Sequence, residues 1–306
     1  MQFWPRKRAK RIYPRTSFWP ASPETNALGF AGWKAGMTHL QLVDTNAKSK
    51  MYGKIVSVAG TVLDIPPLFV LGVVFYTKTP HGTQCSGRIY AEGVPRGIDI
   101  KRKGVFVSTS TVRDGDDVRL IVCTQPGKGT IKKQKPDVFE IGIGGSSDKK
   151  AAYALSLLGK ELHAQDIFKE GDIIDVSAVT RGFGFTGPVK RFGIRIQTRK
   201  DKQMHRHTGS IGSTTPRKVD YRVPLPGQHG FHNRTETGKR VLVIGNDGTK
   251  ATPAGGFVGY GPVKEFMVIE GSGPGPRKRL IRLRRTIRFQ PPRVPDVKSI
   301  SLTSKQ

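Results

Sequence analysis

The feature that most constrains this chain is the stretch from residue 181 to residue 240, which is strongly basic and poor in apolar side chains. It holds fourteen Lys or Arg residues against three acids, Asp201, Asp220 and Glu236. Ordering a backbone costs about 1 to 2 kcal/mol per residue. A stretch with few apolar side chains can bury only a small apolar surface, which offsets little of that cost. We therefore expect a partner outside the chain to order this stretch.

The excess positive charge is concentrated in three stretches of the chain. The net charge is +29, and residues 1–18, 181–240 and 277–306 carry +6, +11 and +9 of it. Residues 91–180 are nearly neutral, with fourteen basic and thirteen acidic side chains. Charge that served only solubility would be mixed over the whole surface. The pattern instead predicts a large polyanionic partner, with nucleic acid favoured over an anionic membrane.

Composition argues against several other classes of protein. Cys85 and Cys123 form no Cys-x-x-Cys pair, so neither a zinc site nor a disulfide framework is predicted. The N-terminal segment is basic and interrupted by prolines, unlike a secretory signal. The most apolar run, residues 62–76, contains Asp64 and two prolines and is too short to cross a bilayer. We expect a soluble, cytoplasmic protein without a cofactor.

Runs of β-branched and aromatic residues predict a mainly β protein. Strand-like segments lie at 28–31, 38–43, 55–63, 68–76, 118–124, 172–179, 239–245, 264–270 and 278–289. In the last of these, arginines alternate with aliphatic residues, which predicts a strand or a less regular ribbon with one basic face and one buried face.

The best helix signal lies between residues 147 and 159. Ser147 or Asp148 can cap it, and Gly159 can end it. The alanines and leucines between them give it an apolar face, which we expect to pack against a sheet.

Gly182, Gly184 and Gly187 have the spacing of a dinucleotide-binding loop. A proline follows the third glycine at once, and the next twenty residues are basic rather than a second strand and helix. This interpretation is therefore not favoured. We expect the glycines to let the backbone approach phosphate groups.

Four histidines, His205, His207, His229 and His232, lie in the basic stretch. Only Glu236 offers a nearby carboxylate, and the surrounding Lys and Arg oppose a divalent cation, so no metal site is predicted. We expect the histidines to stack on bases or to contact phosphate and ribose hydroxyls.

No catalytic motif of a familiar kind is present in the sequence. There is no nucleophile elbow, no Walker-type loop and no close acidic pair on a shared element. We expect a structural, RNA-binding protein and not an enzyme. The alternatives are an RNA-modifying or nucleotide-dependent enzyme that uses the glycine-rich stretch, and a membrane-surface protein, which would need basic amphipathic helices.

Six stretches resemble the L3 family of large-subunit ribosomal proteins, in its archaeal form. They are residues 4–11, 29–39, 181–191, 209–212, 227–230 and 271–279. The resemblance implies a closed six-stranded β-barrel of the translation-protein type, an α+β insertion and two extensions that enter 23S rRNA. It also implies a finger that approaches the peptidyl transferase region and a role in subunit assembly.

The resemblance and the charge pattern together imply five parts. These are a basic extended N-terminal tail (1–26), a β-barrel (27–84 with 165–194 and 236–289), an α+β insertion (85–164), an rRNA-penetrating finger (195–235) and a C-terminal tail (290–306). The implied partners are 23S rRNA and neighbouring large-subunit proteins, with no small-molecule substrate, no membrane and no homo-oligomer. Tyr221 is compared with a finger-tip residue that is commonly tryptophan in eukaryotic relatives.

We expect rRNA contacts from the three basic stretches. The tail contributes Trp4, Arg6, Lys7, Arg8, Lys10, Arg11 and Arg15. The central stretch contributes Arg181, Gly182, Gly184, Lys190, Arg191, His205, Arg206, His207, Gly209, Gly212, Arg217, Lys218, Tyr221, Arg222, Gln228, His229 and Arg234. The last stretch contributes Arg277, Lys278, Arg279, Arg282, Arg284 and Arg285. Lys and Arg neutralise phosphates, glycines allow close approach, and aromatic rings stack on bases.

Overall fold

The computed structural model describes residues 4–93, 117–201, 203–215, 217–288 and 290–303. Over these residues the chain is mainly β, as the sequence predicts. The strands are β1 (Gly29–Val43), β2 (Ile55–Asp64), β3 (Leu68–Thr79), β4 (Gly82–Tyr90), β5 (Asp117–Thr124), β6 (Val138–Gly142), β7 (Glu161–Leu162), β8 (Ile173–Val179), β9 (Gly182–Thr186), β10 (Gly227–Gly230), β11 (Asn233–Gly245), β12 (Phe266–Glu270), β13 (Leu280–Arg285) and β14 (Asp296–Ile300). The described helices are α1 (Ser147–Ser156) and α2 (Pro188–Phe192), with short 3-10 turns at Ala164–Asp166 and Gly248–Lys250.

Seven antiparallel strands form the first sheet, in the order β13-β8-β11-β12-β2-β1-β14. Strand β13 also pairs with β1, so six of these strands are hydrogen-bonded in a ring. The register places Val62 opposite Val268 and Phe30 opposite Leu283. All four side chains are buried, because β-branched and aromatic residues pack well on a pleated surface.

The second sheet has the order β4-β3-β5-β6, with β7 paired to β3. Leu68–Thr79, which lies within the range 27–84 assigned to the barrel, pairs in the second sheet. The reason is the pair Pro66 and Pro67, whose nitrogens cannot donate to a ladder. The β2–β12 pairing stops at Asp64, and the chain leaves the first sheet there. Residues 94–116 of the predicted insertion lie outside the described residues.

Helix α1 confirms the predicted helix, with small shifts at its ends. Its N-cap is Ser146, one residue before the predicted cap. Gly159 has a φ of +74°, which suits glycine as a stop after the helix. Ala154 is fully buried in the core, so the alanine-rich face packs as expected.

One hydrophobic core joins the two sheets. Trp33 and Phe30 of the first sheet and Leu120 of the second are among its largest buried side chains, together with Phe168 from the segment before β8. The lean overall composition is compatible with this core because the apolar residues are concentrated in the strands and not in the basic stretches.

The N-terminal segment, residues 4–26, lies against both sheets and is not a free tail. The Tyr13 hydroxyl donates to the carbonyl of Val138 at 2.6 Å. The indole of Trp19 lies over Gly142, where an added Cβ would come within 2.5 Å of the ring. Glycine at position 142 therefore makes room for this aromatic anchor.

Arg282, expected to bind rRNA, is instead buried inside the protein with 4% of its surface exposed. Its guanidinium donates to the carbonyls of Pro14 and Glu140 and lies 4.5 Å from the ring centroid of Phe139. Burial lowers the pKa of Arg282 to about 10, so it remains charged at neutral pH. Arg282 is enclosed because β13 lies between β8 and β1 and the N-terminal segment covers it.

Arg284 and Arg285 also donate within the protein. Arg284 donates to the carbonyl of Phe18 at 2.8 Å and to the carboxylate of Asp175 at 2.7 Å, and that carboxylate is 1% exposed. Arg285 donates to the carbonyl of Ile167 at 3.2 Å. The prediction of a strand with one basic, exposed face is therefore wrong for β13, whose first four residues are all buried.

The predicted C-terminal tail, 290–306, contains strand β14. It pairs with the end of β1, where Leu40 lies opposite Ile300 and Val43 opposite Asp296. This pairing covers part of the β1 edge that would otherwise expose free backbone groups.

We predict that Arg282→Ala lowers the free energy of unfolding by about 2 to 4 kcal/mol, because it leaves a cavity and two carbonyls without their donor. Urea denaturation of the purified chain measures this change. Arg288→Ala removes the same charge from an exposed position after β13 and serves as the control. Equal stability of the two variants would contradict the anchoring role of Arg282.

Candidate nucleic-acid interface

The N-terminal segment is fixed along the residues that precede β11. The backbone N–H of Ala9 donates to the carbonyl of Phe231 at 2.8 Å. Nδ1 of His232 lies 2.9 Å from the carbonyl oxygen of Lys7. A carbonyl oxygen only accepts hydrogen bonds, so Nδ1 of the neutral ring carries the hydrogen. These contacts place the first basic residues of the chain beside the glycine-rich stretch.

The glycine-rich stretch forms a separate two-stranded ribbon in which β9 pairs with β10. Gly230 has a φ of +69°, and an added Cβ would lie 1.9 Å from the carbonyl oxygen of Arg181, so glycine is required there. Helix α2 follows β9 and ends after five residues at Gly193, which has a φ of +68°. Such a short helix does not complete a dinucleotide-binding unit.

A groove of about 970 Å³ lies between the N-terminal segment, the ribbon and residues 275–277. Its lining residues are Arg6, Thr180, Arg181, Phe183, His229, Gly230, His232, Arg234, Gly275, Pro276 and Arg277. The lining contains four arginines and no Asp or Glu. Its electrostatic potential therefore favours an anion.

The two groove histidines are neutral at neutral pH. Burial and the nearby positive charge of Lys190 lower the pKa of His229 below its ordinary value. Burial also lowers the pKa of His232, although its hydrogen bond to Lys7 acts in the opposite direction. The positive charge of the groove thus comes from its arginines.

Cations and aromatic rings are interleaved around the groove. The ring centroids of Phe183 and His229 are 4.7 Å apart, with 32° between the planes. The Lys190 ammonium lies 5.0 Å from the Phe183 centroid, and the Arg6 guanidinium lies 4.4 Å from that of Phe192. This combination is typical of surfaces that bind both phosphates and bases.

Residues 194–226 contain no helix or strand among those described, and most of them are exposed. We call this segment the extension. Arg191 holds its base, since Nη1 donates to the carbonyl of Leu225 at 2.7 Å and Nε to that of Gln228 at 3.0 Å. The last residues of the range 195–235 predicted for the finger include β10 and the start of β11, which continue the paired structure.

The two arms of the extension contact each other and the N-terminal segment. The Thr208 hydroxyl donates to the carbonyl of Pro224. Tyr221 meets Trp4 edge to face, with ring centroids 5.5 Å apart. Trp4 therefore links the start of the chain to the extension.

Lys34 positions the loop that carries Arg277. Its ammonium donates to the carbonyl of Gly273 at 2.6 Å and to that of Gly275 at 3.3 Å. Burial lowers the pKa of Lys34. Beyond this anchor, Arg277 and Lys278 are exposed at the edge of the groove.

The structure brings some of the predicted rRNA-binding residues together and separates others. Those that line the groove are Arg6, Arg181, His229, Arg234 and Arg277. Others lie beside the groove. They are Trp4 on the N-terminal segment, Gly182, Gly184 and Gln228 on the ribbon, Lys190 and Arg191 on α2, and Lys278 and Arg279 in the loop before β13. Those spread over the extension are His205, Arg206, His207, Gly209, Gly212, Arg217, Lys218, Tyr221 and Arg222. Exposed along the N-terminal segment are Lys7, Arg8, Lys10, Arg11 and Arg15.

Sequence reasoning missed the aromatic side chains of this surface. Phe183 lines the groove, Phe185 lies on the same strand, and Phe192 and Phe231 carry guanidinium groups over their rings. His232, considered only as a possible ligand or stacking residue, fixes the N-terminal segment. The available signal was the alternation of phenylalanine with glycine inside a run without acids.

Two other kinds of site find no support in the described part of the chain. No group of three or more His, Cys, Asp or Glu residues is arranged there to hold a metal ion. None of its helices is long and apolar enough to span a bilayer.

We predict that acid destabilises the protein through His232. Its pKa lies below the ordinary value of 6.5, so below that pH the unfolded chain binds a proton that the folded chain does not, and stability falls as pH falls. His232→Asn keeps a donor for Lys7 but cannot titrate, so it should reduce the loss of unfolding free energy between about pH 7.5 and 5.5. His205→Asn, at an exposed position, is the control. An unchanged pH dependence in His232→Asn would contradict the prediction.

Comparison with known proteins identifies the family. A profile described as "Ribosomal protein L3" matches residues 1–108 and 99–303. "Large ribosomal subunit protein uL3" of Methanopyrus kandleri is 44% identical over 100% of this chain and 90% of the relative. The proteins of the same name from Methanococcus maripaludis and Archaeoglobus fulgidus are 43% and 41% identical, over 100% of this chain and 96% of each relative. The chain belongs to the ribosomal protein L3 family, in its archaeal form.

Proposed function

We propose that the protein is a structural component of the large ribosomal subunit that binds and organises 23S rRNA. The observation that carries this proposal is the groove with four arginines and no carboxylate, formed by parts of the chain distant in sequence. The relatives of this protein are named as large-subunit proteins. They are ribosomal proteins and not enzymes, and this protein is likewise not an enzyme.

The groove binds the RNA backbone through its guanidinium groups. Arg6, Arg181 and Arg277 converge from three segments, so phosphates along a folded strand meet several donors at once. Guanidinium groups suit this task because they present planar pairs of N–H donors to phosphate oxygens. Gly230 and Gly275 also line the groove, where each packs closely against the protein's own atoms, Arg181 for Gly230 and Arg279 and Val179 for Gly275.

The extension gives the protein reach into RNA. Its exposed basic residues have no core beneath them, so binding orders them more than folding does. We assign it as the finger directed toward the peptidyl transferase region, and we assign the protein a role in subunit assembly. The ring of six strands is the proposed six-stranded barrel, and neighbouring large-subunit proteins are the proposed protein partners on a cytoplasmic ribosome.

We predict that the affinity for a 23S rRNA transcript falls steeply with salt, with a slope in log–log form of about 0.7 to 0.9 for each phosphate contacted. Arg277→Ala should weaken binding and lower that slope by about 1, because one phosphate contact is lost. Filter binding over a series of potassium chloride concentrations measures both.

The matched control for this experiment is Lys50→Ala, which removes one exposed charge outside the groove. It should leave the slope unchanged. A slope near zero for the wild-type protein, or equal slopes for the two variants, would contradict binding of phosphates in the groove.

We predict that replacing the extension, residues 194–226, by a short glycine linker leaves the two sheets folded but impairs incorporation into the large subunit. The segment adds almost nothing to the core, and Arg191 shows that its two ends lie close together. Calorimetry of the purified variant and sedimentation of reconstituted subunits provide the two measurements. A collapse of the unfolding transition would show that the extension supports the fold.

A further inference from the structure

We propose that Phe183 and Phe185 form a stacking platform for unpaired nucleotides, so that the RNA at the β9–β10 ribbon is a single-stranded or looped segment and not a regular duplex. This inference rests on the proposed function and specifies which form of RNA the ribbon binds. The juxtaposition of exposed rings with the basic groove carries it.

The two rings are exposed to an unusual degree for phenylalanine. Phe183 is 43% exposed and Phe185 is 78% exposed, although both belong to a paired strand. The described residues provide no ring or cation contact for Phe185, whereas the Phe183 ring lies against His229 and has the Lys190 ammonium over it. Two exposed apolar rings two residues apart on one strand mark a binding surface more often than chance exposure does.

The backbone between the rings leaves space for a ligand. Gly184 separates them and has a φ of +71°, and a Cβ built on it would meet nothing within 4 Å. The backbone at residue 184 is therefore open to an incoming group. Phe185 is 78% exposed, so a planar group can reach its ring, while the Phe183 ring is already in contact with His229.

The charge around the rings specifies an anionic partner. Residues 181–200 contain no acidic side chain. The Arg181 guanidinium and the Lys190 ammonium lie 5.7 Å and 5.0 Å from the Phe183 centroid. An apolar protein surface placed on the rings would have to remove water from these charges without a compensating partner, which is costly. A nucleotide provides an aromatic face and a phosphate together.

Base pairing decides between the two forms of RNA. In an A-form duplex the bases stack on one another, and a protein meets only phosphates, ribose hydroxyls and the base edges of the shallow groove. A duplex would leave the phenylalanine rings without a partner. Unpaired bases expose their faces, and stacking on aromatic side chains is how proteins bind them.

Phe185→Leu tests this inference, since it keeps an apolar side chain at an exposed position and removes the aromatic face. The probes are a single strand of about twelve adenosines, within the site sizes of single-strand-binding folds, and a blunt RNA duplex of equal length. Affinity for the single strand should fall by about five- to one-hundred-fold. Affinity for the duplex should stay the same.

Tyr52→Leu is the matched control, because Tyr52 is an exposed aromatic residue, 61% exposed, outside the groove lining. It should change neither affinity. Equal losses on both probes, or no loss on the single strand, would overturn the inference. If the inference fails but Phe185→Leu keeps the salt dependence of rRNA binding, the proposed function still stands. The failure of the inference can therefore be distinguished from the failure of the proposed function.

Phe185→Trp supplies a second, spectroscopic measurement that does not depend on the loss of affinity. Stacking of a base on the new indole should quench its fluorescence when the adenosine strand is added and not when the duplex is added. The wild-type protein, which contains three tryptophans, gives the background signal. Equal quenching by both probes after subtraction of this background would also overturn the inference.

Discussion

The buried guanidinium of Arg282 is the interaction on which the rest of the arrangement depends. It belongs to the first sheet and donates to Pro14 in the N-terminal segment and to Glu140 in the second sheet. One side chain thus joins three parts that are distant in sequence. A guanidinium can do this because it has several N–H donors in fixed directions and stays charged when buried. Because the N-terminal segment is fixed in this way, Arg6 lines the groove and Trp4 contacts the extension. The N-terminal segment thus forms one of the three sides of the groove.

Local sequence signals predicted most elements of the fold but not how they are distributed between two sheets. The β-branched runs and the alanine-rich helix follow from short-range preferences, so their existence was predictable. The assignment of Leu68–Thr79 to a second sheet depends on strand pairing across the whole chain, and only the proline pair at 66 and 67 hinted at it. The docking of the N-terminal segment depends on backbone carbonyls, which every residue offers, and so carries no sequence signature.

For the site, charge indicated an anionic partner but not the role of each basic residue. Arg277 and Arg282 both belong to the same basic stretch, yet one borders the groove and the other holds the core together. Counting charges cannot separate an arginine that meets a partner from one that satisfies internal carbonyls. The aromatic residues of the ribbon were missed for a related reason, because phenylalanine in a β segment normally indicates a core.

The pairing of Gly29 in β1 with Arg284 in β13 affects how the chain acquires its structure during translation. The first strand leaves the exit tunnel long before its partner is synthesised. Contacts between such distant residues close slowly, because the intervening loop is long. Meanwhile an unpaired strand edge can associate with other nascent chains. A protein with this topology therefore benefits from rapid capture by a chaperone or by a binding partner as soon as synthesis ends.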